Sequence, residues 1–162
     1  MAKQLCPEII FVPLHYDKYL RFSRIAWEIY GEYTDQVESF ELDEAWLDVT
    51  DSGIMGTGKQ IANELQQRIS QELGVTISVG VSFNKVFAKL GSDLKKPDAT
   101  TIITWENFRD KVWPLPVSDL LYIGPARAPD GWPKSKLGKK FHASHICTRS
   151  ALQVCRRKHI EP

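Results

Sequence analysis

The order of the predicted elements indicates an α+β fold, a mostly antiparallel sheet with helices on one face. Two stretches carry most of this prediction. Apolar side chains in residues 16 to 33 recur every three or four positions, as on one face of a helix. In "VTISVGVS", residues 75 to 82, they alternate with small residues, as in a strand. Up to residue 104, the predicted elements follow the order helix, strand pair, helix, strand, helix, strand.

The remaining elements follow from local signals. Residues 36 to 50 change from the helical to the strand period, which predicts two short strands or a hairpin. An apolar stripe from Ile61 to Leu73 predicts a helix that Gly74 ends. Asn84 is a typical helix cap, and the helix that it begins has to stop before Pro97. "TTIIT" predicts a last strand and "ENFRDKVW" a short helix. The small second face of "VTISVGVS" indicates that another element packs closely against it.

The bulk composition is that of a globular protein. The chain has 162 residues, of which 43% are hydrophobic and 25% charged, enough for one domain with a core. No apolar run reaches the ~20 residues that cross a bilayer, and the N-terminus does not resemble a signal peptide. We therefore expect a cytoplasmic protein without a membrane partner. The three cysteines lack metal-site spacing and are expected to be unpaired thiols.

The charge is uneven along the chain. Residues 127 to 162 contain nine Lys and Arg against two acidic residues, which gives this tail a charge of +7. The whole chain has a net charge of only +1, so the remaining residues are acidic on balance. A basic tail can bind a polyanion such as DNA. Because no sustained period remains after Ala126, an irregular or aberrant tail is the other interpretation, and both stay open.

Two adjacent acids, Asp43 and Glu44, interrupt the strand-like stretch "FELDEAWLDVT". Neighbouring strand residues point to opposite faces, so the chain has to bend there for the two carboxylates to act together. Close carboxylates repel each other unless a cation neutralises them, and Mg²⁺ typically takes one or two carboxylates together with substrate phosphates. A catalytic metal site is one interpretation, and a solvated surface turn is the other.

Two long motifs resemble one polymerase family. "FELDEAWLDVT" resembles the palm motif S-x-D-E-A-[YW]-L-D of the Y-family (translesion) DNA polymerases. "ISVGVSFNKVFAKLGSDLKKPDATTII" resembles their second, strand-turn-helix signature. "CPEIIFVPLHYDKYLRFS" and "LPVSDLLYIGPA" are similar to flanking segments of the bacterial branch, the DNA polymerase IV or UmuC-like branch. The resemblance covers residues 2 to 126.

This resemblance implies roles for individual residues. Asp43 and Glu44 match the palm metal ligands, which hold two Mg²⁺ ions in the intact family site, and are the catalytic candidates. Lys96 matches the lysine that contacts the triphosphate of the incoming nucleotide. The implied partners are primer-template DNA and deoxynucleoside triphosphates, with a sliding clamp for full-length members.

Other matches imply supporting roles. Asp48 is expected to give structural or electrostatic support. Asn84 and Lys85 match the pair that begins the helix behind the site, where they could act directly or only cap and pack the helix. Lys89 and Gly124 are candidates for contacts with DNA.

The implied domain organisation is partial. Residues 1–105 match a palm without its first strand and fingers, residues 106–126 match the start of a helix-hairpin-helix thumb, and residues 127–162 form the basic tail. The family's first strand, which carries another metal-binding aspartate, has no match, and neither does the clamp-binding tail. We therefore expect an open sheet position beside the acid hairpin, which would favour association between copies.

Three functions are compatible with these residues. The first is a fragment of a translesion and repair DNA polymerase, a nucleotidyltransferase whose isolated chain is inactive because two acids do not replace three. The second is a non-catalytic DNA-binding remnant or regulatory fragment. A nucleotide cyclase-like palm is disfavoured because the glycines expected before the acids are absent.

Overall fold

The structure, a computed structural model, describes residues 2–121 and the backbone of the strand 151–156. Five helices and five strands make up this part of the chain. The helices are α1 (Ala2–Leu5), α2 (Tyr16–Gly31), α3 (Gly58–Leu73), α4 (Lys85–Leu94) and α5 (Phe108–Val112). The strands are β1 (Val37–Glu41), β2 (Glu44–Asp48), β3 (Ile77–Ser82), β4 (Thr100–Ile103) and β5 (Ala151–Arg156). The predicted α+β class is confirmed, and each predicted helix and strand is present.

Local signals explain where the helices begin and end. Thr57 and Gln60 form a capping box at the start of α3, and Gly74 ends that helix in the left-handed conformation at φ 66°. The side chain of Asn84 accepts the Phe87 N–H at 2.8 Å and so caps α4. The predicted caps at Gly74 and Asn84 are confirmed.

The five strands form one sheet in the order β1-β2-β5-β3-β4. Only the β3–β4 pair is parallel, so the mostly antiparallel sheet is confirmed. β5 lies in the centre, although its residues belong to the basic tail, for which the sequence predicted irregular structure. The expected open position beside the acid hairpin is therefore wrong, because β2 is paired with β1 on one side and with β5 on the other.

Helices cover both faces of the sheet, not one as predicted. Ile77 and Val79 of β3 lie fully buried in a core that α2 and α3 complete. The opposite face of β3 packs against α4, and a Cβ atom on Gly80 would lie 1.8 Å from the Ala88 carbonyl oxygen. The glycine and serines of that face allow this close approach, which agrees with the close packing predicted from their size.

Only part of the predicted thumb segment lies within the described residues. Residues 106–126 were predicted to begin the thumb. They contribute α5 and a 3-10 turn at Val117–Asp119, while residues 122–126 lie outside the described part of the chain. Among the residues with described coordinates, no helix has the length and apolar character needed to cross a membrane.

Candidate metal and nucleotide site

Asp43 lies in the turn of the β1–β2 hairpin, and Glu44 is the first residue of β2. Glu41 pairs with Glu44 across the hairpin, so the turn consists of Leu42 and Asp43. The predicted bend between the two acids is therefore present. The Ser23 hydroxyl of α2 donates a 2.5 Å hydrogen bond to the Leu42 carbonyl, which holds the turn against that helix.

The Glu44 carboxylate forms an ion pair with Lys89. The Lys89 Nζ lies 2.7 Å from Glu44 Oε1, and the two side chains are only 11% and 12% exposed. Burial alone would lower the pKa of Lys89, but hydrogen bonds from its ammonium to Glu44 and Asp93 raise the pKa above its ordinary value. Lys89 therefore stays charged and holds Glu44 against α4.

A chain of ion pairs extends from Glu44 to Lys96. Lys89 Nζ lies 3.1 Å from Asp93 Oδ2, and Asp93 Oδ1 lies 2.8 Å from Lys96 Nζ. Asp93 and Lys96 are the solvent-exposed end of this chain, with side-chain exposures of 41% and 42%. The structure thus joins the acid hairpin and the predicted nucleotide lysine in one charged network of alternating sign.

Asn84 and Lys85 lie at the other end of α4. Asn84 is the helix cap described above. The Lys85 ammonium pairs with Glu38 on β1 and lies 5.6 Å from the centre of the Trp46 ring. The Lys85 carbonyl accepts the Trp46 indole N–H at 3.2 Å. These contacts fix α4 to the hairpin, which favours the supporting role for both residues.

Asp48 is distant from the two acids. It lies four residues beyond Glu44, roughly 13 Å along an extended strand. Its Oδ1 accepts the Thr50 N–H at 3.0 Å and the Thr50 hydroxyl at 2.6 Å, and so stabilises the turn that follows β2. This geometry favours the structural role that the sequence predicted.

The geometry around Lys89 does not favour the predicted contact with DNA. The residue is 8% exposed, and its ammonium is engaged by Glu44 and Asp93, so a DNA phosphate would have to displace both carboxylates. Gly124, the second candidate, lies outside the described residues.

Sequence reasoning missed two residues that organise this site. Asp93 lies four residues after Lys89 and three before Lys96, which is the spacing of side-chain pairs on a helix, and this spacing could have identified it. Ser23 is a buried hydroxyl on the otherwise apolar stripe of α2, and such a hydroxyl requires a hydrogen-bond partner.

The donor set fits part of a magnesium site. Carboxylate oxygens are suitable ligands, and Asp43 and Glu44 supply two carboxylates at one turn. Within residues 2–121, however, no group of three or more His, Cys, Asp or Glu residues is arranged to hold a metal ion. The described residues therefore provide an incomplete ligand set that substrate phosphates or another carboxylate would have to extend.

Comparisons with known proteins find a family model and relatives that match more than half of the chain. The model of the impB/mucB/samB family matches residues 1–93. A DNA polymerase IV of Acetivibrio thermocellus is 58% identical over 124 residues, which cover 76% of this chain and 31% of that protein. A DNA polymerase IV of Bacteroides fragilis is 43% identical over 156 residues, covering 95% of this chain and 40% of the relative. That second match continues past residue 126, where the motif resemblance stops.

The fold has relatives among solved structures. The insertion ternary complex of Dbh DNA polymerase superposes with a TM-score of 0.70 at 31% identity, over 78% of this chain and 38% of that one. The chain spans about a third of the length of the first curated relative. The matched family model, the DNA polymerase IV relatives and this shared fold lead to one conclusion: the chain belongs to the impB/mucB/samB family, whose relatives named here are Y-family DNA polymerases.

Proposed function

We propose that this chain is part of the palm of a template-directed DNA polymerase that performs nucleotidyl transfer in translesion synthesis and DNA repair. The observation that carries the proposal is the hairpin turn that places Asp43 beside Glu44, with Glu44 connected through Lys89 and Asp93 to Lys96. Carboxylates next to a lysine-bearing helix are suited to binding a metal-complexed triphosphate.

In this proposal, Asp43 and Glu44 hold Mg²⁺ ions. When bound, such ions stabilise the charge on the attacking and leaving oxygens. Lys96 gives up its ion pair with Asp93 and binds phosphate oxygens of the incoming deoxynucleotide instead. Its ammonium then neutralises part of the triphosphate charge. Lys89 positions the Glu44 carboxylate and reduces its repulsion from Asp43. The proposed partners are primer-template DNA and deoxynucleoside triphosphates, and the Dbh ternary complex supports this choice by similarity.

The isolated chain is proposed to have negligible activity. Its described residues supply two carboxylates at the site, and the chain spans only 31% of the Acetivibrio thermocellus polymerase. Primer extension by the purified chain that Asp43→Ala abolishes would overturn this part of the proposal.

A chimera provides the positive test. The segment of the Acetivibrio thermocellus polymerase that aligns with this chain is replaced by this chain's residues, and primer extension is measured. We expect an active chimera, inactivated at least about 100-fold by Asp43→Asn or Glu44→Gln. Asp51→Asn removes an exposed carboxylate seven residues after Glu44 and serves as the matched control, with full activity expected. A folded chimera that is inactive, or one that tolerates Asp43→Asn, would refute the assignment.

A second candidate function, a non-catalytic DNA-binding fragment, is favoured by the +7 charge of residues 127–162. Deleting this tail is a poor test because the deletion removes the central strand β5. Replacing Lys134, Lys136, Lys139 and Lys140 by Gln leaves the β5 sequence intact. Neutralisation should weaken binding to duplex DNA and reduce the slope of log affinity against log salt. Unchanged affinity and slope would exclude the tail as the DNA contact.

A further inference from the structure

The central strand of the sheet comes from the far end of the chain. β5 pairs antiparallel with β2 through five residue pairs and with β3 through six. In the sheet order, β2 and β3 each neighbour β5 and are not neighbours of each other. Without β5, the described sheet would therefore consist of two separate ladders, β1–β2 and β3–β4, separated by the width of one strand.

The strands on both sides of β5 already belong to one hydrophobic core. Ala45 and Leu47 of β2 are at most 1% exposed, and Ile77 and Val79 of β3 are fully buried. All four pack in the cluster that α2 and α3 complete. The common core holds β2 and β3 apart at about twice the strand spacing of ~4.8 Å. This distance leaves room for one extended segment between the two strands. The backbone N–H and C=O groups of β2 and β3 supply hydrogen-bond partners on both sides of this segment.

The register places this segment beside the candidate site. Cys155 is the partner of Glu44 on one side and of Ser78 on the other. Glu44 also reaches α4 through Lys89, and α4 packs on β3 and β5. The position of the acid hairpin relative to α4 therefore depends on the strand that lies between β2 and β3.

We propose that the space between β2 and β3 is a strand-acceptor site, filled by residues 151–156 of the same chain, and that its occupancy holds the acid hairpin in place. The occupant is an extended segment of six residues that binds antiparallel to both neighbours, as in recognition by strand addition. Because this segment belongs to the same chain, its effective concentration exceeds that of a competing strand from another molecule. This inference does not depend on the polymerase assignment.

A disulfide trap tests the occupancy in the full chain. Directly opposed residues of antiparallel strands have Cα atoms ~4.5–5.5 Å apart, within the range that a disulfide bridges. With Cys6 and Cys147 replaced by Ser, Ser78→Cys should form a disulfide with Cys155 in most molecules under oxidised glutathione. Ser82→Cys is the matched control, because Ser82 is equally buried on the same strand but has Ala151 as its partner. Mass spectrometry of proteolytic peptides identifies the linked pair.

The location of the crosslink shows which segment fills the space between β2 and β3. A disulfide within one monomer, formed by Ser78→Cys at least tenfold more than by Ser82→Cys, is the expected result. A disulfide that joins the introduced thiol of Ser78→Cys to Cys155 of a second molecule would overturn the proposal that the chain's own segment fills the site. Equal or absent crosslinking in both variants would overturn the strand position itself.

A peptide tests whether the site accepts a strand. Val154→Pro removes a backbone donor at the centre of β5, where proline is poorly tolerated. In the Ser78→Cys background it should reduce the internal crosslink at least tenfold, and an added peptide of residues 149–158 should then crosslink to the introduced thiol. The same peptide with Val154→Pro should not. Failure of the unmodified peptide to crosslink would show that the site is not an acceptor.

Discussion

Replacing Lys89 by Met removes the ammonium that lies 2.7 Å from the buried Glu44 carboxylate. Because the two side chains are 11% and 12% exposed, water replaces little of the lost interaction. Removal of one partner of a buried ion pair costs about 3–5 kcal/mol of unfolding free energy. The second partner, Asp93, is 41% exposed and can be rehydrated, so its i,i+4 contact adds only about 0.3–0.5 kcal/mol. We therefore expect Lys89→Met to lower the free energy of unfolding by about 3–5 kcal/mol.

Urea denaturation followed by far-UV circular dichroism measures this loss. Lys85→Met is the matched control on the same helix, since the Lys85–Glu38 pair is more than half exposed at both side chains. It should cost about 1 kcal/mol or less. The double variant Lys89→Met with Glu44→Gln should recover part of the stability, because the buried charge is gone. A loss for Lys89→Met no larger than that for Lys85→Met would show that the buried Lys89–Glu44 pair does not stabilise the fold.

Two further predictions concern α4 and its packing. Gly80→Ala places a Cβ atom 1.8 Å from the Ala88 carbonyl oxygen and should cost about 3 kcal/mol in the same urea assay, whereas Gly31→Ala, with nothing within 4 Å, should change stability by at most about 1 kcal/mol. Equal effects of these two substitutions would contradict the close approach of α4. Asn84→Ala removes the cap that accepts the Phe87 N–H and should cost about 1 kcal/mol, while Asn84→Asp should retain most of the stability. A loss in Asn84→Asp as large as that in Asn84→Ala would argue against the capping role.

Local structure was predictable because its signals are short-range. The alternation of residues 75 to 82 predicted β3, and Gly74 and Asn84 predicted the helix boundaries beside it. The bend at Asp43 followed from the requirement that adjacent acids act together. The small face of β3 indicated that another element packs closely against it, although not that this element is α4 or that α4 lies opposite α2 and α3.

Long-range arrangement was not predictable from these signals. β5 has the length and composition of an ordinary strand, but nothing in its six residues specifies a place between β2 and β3. The pairing of Lys89 with Glu44 joins residues 45 positions apart, and a lysine on a helix is usually solvent-exposed. Lys89 was therefore predicted to contact DNA, although the fold buries it. Asp93 was missed because its role depends on where Lys89 points.

A Mn²⁺ titration of the full chain, followed by isothermal calorimetry or by electron paramagnetic resonance of free Mn²⁺, tests whether Asp43 and Glu44 bind a metal ion. Mn²⁺ replaces Mg²⁺ because it takes the same oxygen ligands and is detectable. We expect saturable binding that the double substitution Asp43→Asn with Glu44→Gln weakens at least about tenfold, a loss of ~1.4 kcal/mol or more. Asp51→Asn should leave the affinity unchanged. Binding that survives the loss of both hairpin carboxylates would contradict the assignment of Asp43 and Glu44 as metal ligands.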